Sequence, residues 1–161
     1  MKNFYIYSPE YRAVSFYYGD KCAERSGVPL MAHIEEGCAM LTAWDRPLST
    51  VRAFCIHPLV QAGDTGLIAT SEAMPLAQEY ARIADKYLCR PDTDRITNVN
   101  SPTVLKAYLG DMSKECAWML LADKLQNQKD FRIYHWFSHN RRVELDKYFD
   151  LWIRTLKEQY L

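Results

Sequence analysis

Three side chains that can bind a metal ion, His33, His57 and Asp123, sit inside apolar helical patterns of this chain. Two imidazoles and a carboxylate can hold a divalent transition metal on one face and leave positions open for water and substrate. Each residue also has a plainer reading. A histidine in an apolar helix is ordinarily a core residue satisfied by a carbonyl oxygen. Asp123 has apolar neighbours one turn away, so its charge must be answered by a metal or an arginine, because an unpaired buried charge costs several kcal/mol. His135 and His139, four residues apart, could form half of a zinc site but lack a third ligand nearby.

The segments around the three residues share a pattern. Arg25-Ser26-Gly27-Val28-Pro29 leads through a short apolar run to His33, and Phe54-Cys55-Ile56-His57-Pro58 is an apolar run closed by a histidine. Leu121-Ala122-Asp123-Lys124-Leu125-Gln126-Asn127 follows later. In this order the segments resemble the hydrolase domain of the RelA/SpoT family, the HD-type metal phosphohydrolases that remove the 3′-pyrophosphate of (p)ppGpp. The third signature of that family is Leu-Ala-Asp-Arg-Leu-x-Asn, kept here except for Lys124. The resemblance implies an all-α, HD-domain-like helical bundle forming a single domain over residues 1–161. It implies Mn2+ or another divalent metal on His33, His57 and Asp123, with a guanosine or adenosine polyphosphate nucleotide as ligand. It also implies that Lys21 and Arg25 face the base or phosphates and that Asn127 lies near the ribose.

The departures from the family pattern fall where its chemistry happens. Pro58 stands in place of the aspartate of the His-Asp doublet, which is the fourth metal ligand. Gln61 and Ala62 stand in place of the Glu-Asp pair that orients and deprotonates the attacking water. Gln61 can hydrogen-bond a water but cannot take its proton at neutral pH. Asp64, followed by Thr65, would be the replacement acid if two residues are inserted before it. The expectation is reduced or lost hydrolysis, with nucleotide or pyrophosphate binding retained. The alternative is a catalytically dead HD-fold protein acting as an interaction or inhibitor module, with a protein partner or a second copy of the chain as its ligand.

Helices must position these residues. Ser8-Pro9 reads as a capped helix start, with Tyr11, Val14, Tyr17 and Tyr18 as an aromatic core face and an end at Gly27 before Pro29. Leu30 to Trp44 is the second helix and carries His33 beside the stripe Met31, Ile34, Cys38 and Leu41. Leu48 to His57 is the third, almost wholly apolar, and Pro58 is expected to end it by removing an amide donor. Gln61 to Ser71 reads as a loop. Met74 to Leu88, Ser101-Pro102 to Leu109, Ser113 to Asn127 and Arg141 to Tyr160 are further helices, with Arg90 to Asn100 a polar connector.

Composition sets the outer limits. A chain of 161 residues is one domain's worth, and its 20 basic and 20 acidic residues leave no positive excess of the kind a general DNA binder carries. Apolar runs fall well short of the roughly 18 residues that a membrane span needs, and the Met1-Lys2-Asn3 start does not lead into a signal-peptide core. A cytoplasmic protein is expected. Five widely spaced cysteines, each beside apolar residues, read as reduced, packed thiols.

Overall fold

The computed structural model describes residues 4–24, 26–88 and 101–161, without the side chains of 85–88. It is all-α. Seven helices run through the described residues: α1 Pro9–Tyr18, α2 Leu30–Ala43, α3 Leu48–Ala62, α4 Met74–Leu88, α5 Pro102–Leu109, α6 Lys114–Asp130 and α7 Arg142–Gln159. The expected connector from Arg90 to Asn100 lies outside the described residues.

Serine caps start three of these helices. The hydroxyls of Ser8, Ser101 and Ser113 accept the amides of Tyr11, Val104 and Cys116 at 3.1, 3.3 and 3.1 Å. Each cap satisfies one of the amides that a helix start leaves without a partner. Proline follows the cap in α1 and α5, where its missing N–H costs nothing.

Two boundaries differ most from the sequence expectation. α1 ends at Tyr18, well before Gly27, because Gly19 takes φ 51° there and its amide returns to the Ser15 carbonyl. The chain then makes a tight reversal, with Cys22 bridged to Pro29 and the Leu30 amide bonded to the Lys21 carbonyl at 2.9 Å. The second difference is larger in consequence. α3 does not stop at His57 but runs through Pro58 to Ala62, so the expected loop begins only at Gly63, itself left-handed at φ 74°. A proline inside a helix leaves the carbonyl four residues back without its amide. Here that carbonyl belongs to Phe54 and accepts the His57 Nδ1–H at 2.6 Å. The local replacement bond, together with burial of Phe54, Cys55, Ile56 and Leu59, carries the helix past the break.

α3 and α6 are the centre of the bundle. α3 packs on α1, α2, α4 and α6, while α6 packs on α2, α3, α4 and α7. Val14, Ile34, Leu41, Phe54, Ile83, Leu120, Trp152 and Leu156 belong to one core around them without measurable exposure. Tyr11, Tyr17 and Tyr18 pack against this core, as the aromatic face of the first helix suggested. Cys38 and Cys55 touch through sulfur at 3.4 Å as free thiols. No helix among the described residues is long and apolar enough to cross a membrane.

The approach of α2 to α3 depends on one glycine. A Cβ on Gly37 would lie 2.1 Å from a ring carbon of Phe54, and that ring is fully buried beside His33 and His57. Alanine is worth about 1 kcal/mol over glycine in a helix interior. Overpacking a core typically costs about 1–3 kcal/mol. Gly37→Ala is therefore expected to lower stability by urea unfolding despite its better helix propensity. A variant as stable as the wild type would mean that the α2–α3 spacing is not held by this contact.

Candidate metal centre

His33 stands in the first turn of α2, which begins after Pro29, and its side chain is 22% exposed. Its Nδ1 lies 2.6 Å from Gln126 Oε1, and the Gln126 amide nitrogen donates to Asp130 Oδ2 at 2.5 Å. That second bond fixes the glutamine oxygen toward the ring, so Nδ1 carries the proton and donates it. Nε2 is then the inward nitrogen, 3.4 Å from Asp123 Oδ1.

His57 reaches the same point from α3. It is buried, and its ring is wedged between the rings of Phe54 and Tyr80, each with a centroid 4.7 Å away, with that of His33 at 5.5 Å. Its Nδ1 is likewise a donor, to the Phe54 carbonyl, and Nε2 is the free nitrogen. Burial, followed by the neighbouring His33, lowers the His57 pKa to about 3, with only partial opposition from Asp123. The ring is neutral over the physiological range and keeps a lone pair.

Asp123 comes from α6, where buried Leu120, Leu121 and Ala122 precede it. Asn127, one turn on, donates to Oδ1 at 3.0 Å, and the Lys124 ammonium donates to Oδ2 at 2.7 Å. The Tyr80 hydroxyl also bonds this carboxylate. Burial works to raise the Asp123 pKa, but Lys124 and the two imidazoles outweigh it and hold the value at about 2. Lys124 is buried too, with its ammonium 5.0 Å from the centre of the Trp152 ring. Burial alone would lower its pKa, yet Asp123 holds it above the ordinary lysine value.

One ligand atom from each of His33, His57 and Asp123 lies within 4.8 Å of the others. A tetrahedral site with bonds of about 2.0–2.1 Å has edges of about 3.4 Å, so the three residues could hold a metal ion after a small closure. The donor chemistry fits. Both histidines commit Nδ1 to an oxygen, the arrangement that orients metal-binding imidazoles. His33 Nε2 and Asp123 Oδ1 both carry lone pairs, and at 3.4 Å they need a ring proton or a cation between them. Lys124 acts against the ion, because its charge already balances the carboxylate.

The remaining candidates fall around this centre unevenly. Gln61 lies one turn beyond His57 on the same side of α3, at its exposed end. Asp64 is exposed just past Gly63 and is not among the residues whose ligand atoms come together. Lys21 is exposed and folds back on Tyr17, donating to its carbonyl at 3.1 Å with the ammonium 5.1 Å from the ring centre. Arg25 lies outside the described residues. Asn127 bonds the carboxylate and thereby belongs to the cluster. His135 and His139 flank the Phe131 ring, and His139 Nδ1 accepts the Arg141 amide at 3.1 Å.

Sequence reasoning missed Lys124, Tyr80 and Gln126. Adjacent helical residues point about 100° apart, so helical spacing alone gives no reason to pair Lys124 with Asp123. Only its long, flexible stem lets the ammonium return to the carboxylate. The lysine's place directly after Leu121-Ala122-Asp123 and before Leu125 was the available signal. Comparison with protein-family models, with curated proteins and with solved structures gives no match.

The buried pair makes stability depend on pH. His57 and Asp123 both have folded values below their ordinary 6.5 and 3.8. Their contributions are therefore complete above the ordinary values and are lost as pH falls through the folded ones. For His57 the gap corresponds to about 5 kcal/mol at most. Urea unfolding in the presence of a chelator should show wild-type stability falling steadily from pH 6.5 to 4, with that slope missing in His57→Gln. A flat wild-type profile would mean that His57 is already charged in the folded protein.

Proposed function

We propose that the chain is a divergent HD-type protein related to the RelA/SpoT hydrolase domains, in which His33, His57 and Asp123 hold Mn2+ or another divalent metal weakly. It binds a guanosine or adenosine polyphosphate and turns it over slowly or not at all. One observation carries the reading: the residues picked out by three separated motifs meet within 4.8 Å, with Nδ1 of both histidines already committed. Core histidines satisfied one by one would have no reason to bring a ligand atom each to within 4.8 Å of the same carboxylate.

When bound, the metal would polarise a phosphoryl oxygen or acidify a water. The chain's own residues supply little beyond that. Asp123 brings the one negative charge among the three ligands, and Lys124 balances it. A unit charge within about 5 Å of a divalent ion is worth several kcal/mol even at an effective dielectric of about 20, so affinity suffers. No carboxylate joins the three ligands to take a proton from water among the described residues. The loss of a general base costs roughly 100- to 10,000-fold in rate. The assignment of Lys21 and Arg25 to the phosphates rests on the family resemblance.

A second reading is favoured by the Asp123–Lys124 pair itself. An ammonium 2.7 Å from the carboxylate can satisfy it without a metal, and the fold then serves as a catalytically dead interaction or inhibitor module. Calorimetric titration with MnCl2 separates the two. The wild type should bind in the micromolar range or weaker, His57→Gln should not bind, and Lys124→Met should bind at least tenfold tighter. Absence of binding by both wild type and Lys124→Met would decide for the second reading. Incubation with ppGpp should give binding without pyrophosphate release. Robust Mn2+-dependent release would overturn the loss of catalysis and point to Asp64, testable as Asp64→Asn.

A further inference from the structure

We propose that Pro58 is a positioning residue for His57: having no amide hydrogen to give, it leaves the Phe54 carbonyl to the imidazole and thereby fixes Nδ1 as donor and Nε2 as the lone pair facing His33 and Asp123. Its functional consequence rests on the metal-binding reading above, but the tautomer does not.

The argument begins with the helix ladder. In an α-helix the amide of residue 58 bonds the carbonyl of residue 54. α3 is helical on both sides of position 58, so any other residue there would supply that amide. Phe54 is fully buried, and no water is needed once the His57 ring turns back on its own helix and donates at 2.6 Å. A buried carbonyl left unpaired is costly, and the ring hydrogen removes that cost.

A neutral imidazole in this place has two choices. Protonated on Nε2, it would be a donor facing a cluster that contains the Asp123 carboxylate, which is the arrangement of a structural core histidine. Protonated on Nδ1, it presents a lone pair and can only be used by a positive ion or another donor. Asp123 favours the first choice electrostatically. The vacant Phe54 carbonyl selects the second. The same substitution that removes the expected acid beside His57 therefore prepares the histidine itself as a ligand. Outer partners of this kind typically change metal affinity 10- to 100-fold.

The test uses the full chain with 15N-labelled histidine at pH 7, free of metal, with the His57 signals assigned by their loss in His57→Gln. Two-bond ring couplings in the wild type should show Nδ1 protonated and Nε2 bare. Pro58→Ala returns the amide to Phe54 and should give a mixed or Nε2-protonated ring, with Mn2+ affinity reduced 10- to 100-fold and Tm unchanged or raised. A merely structural proline would move Tm and leave the ring couplings alone. An Nε2-protonated ring in the wild type, or couplings and affinity unchanged in Pro58→Ala, overturns the proposal. If the ring switches but neither protein binds Mn2+, the positioning role stands and the metal reading falls. If the wild type binds Mn2+ and Pro58→Ala matches it in couplings and affinity, Pro58 is excluded and the metal reading survives.

Discussion

A carboxylate withdrawn from water must be met by donors or by a cation, and the centre of this bundle is built around meeting one. Asp123 lies in the middle of α6, the helix that touches α2, α3, α4 and α7. Its partners come from several of those directions: Tyr80 from α4, His33 from α2, and Lys124 and Asn127 from α6 itself. Removing Tyr80, Lys124 or Asn127, the donors among them, would leave a buried charge short of a partner, a loss larger than the net worth of the bond itself.

Stability and metal chemistry pull on that carboxylate in opposite ways. Lys124 stabilises the folded chain without help from any ligand, and for the same reason leaves less charge for an ion. A site designed only for binding would keep the carboxylate free, while one designed only for folding would have no use for two imidazoles with committed Nδ1 atoms. The observed cluster satisfies both requirements partially. The geometry could hold an ion, while the charge of the carboxylate is already balanced within the chain itself.

The histidines are held by packing more than by their own bonds. Phe54 presses against Gly37, His33 and His57 at once, so the spacing of α2 and α3 and the orientation of both rings are set by a single aromatic side chain. Tyr80 closes the other side of His57. With its ring confined on two faces, the His57 imidazole retains little freedom beyond the choice of which nitrogen carries the proton.

The sequence by itself determined the helices. Apolar residues at three- and four-residue spacing, three serine caps and the punctuating glycines are local signals, and local hydrogen bonding follows them closely from Leu30 to Ala43 and from Pro102 to Leu109. It also picked out His33, His57 and Asp123 by their placement in recognisable segments, although nothing local requires residues so far apart in the chain to meet. Three matters were left to the tertiary structure. Propensity ended α3 at Pro58, but burial of Leu59 beyond the proline and the ring bond to Phe54 outweighed the local penalty. Helical spacing alone does not pair Lys124 with Asp123, but burial of both side chains within the bundle brings the two charges together. Which nitrogen of each histidine faces inward depended on Gln126 from another helix and on a carbonyl freed by a proline. Those are properties of assembled neighbours, and no stretch of sequence contains them.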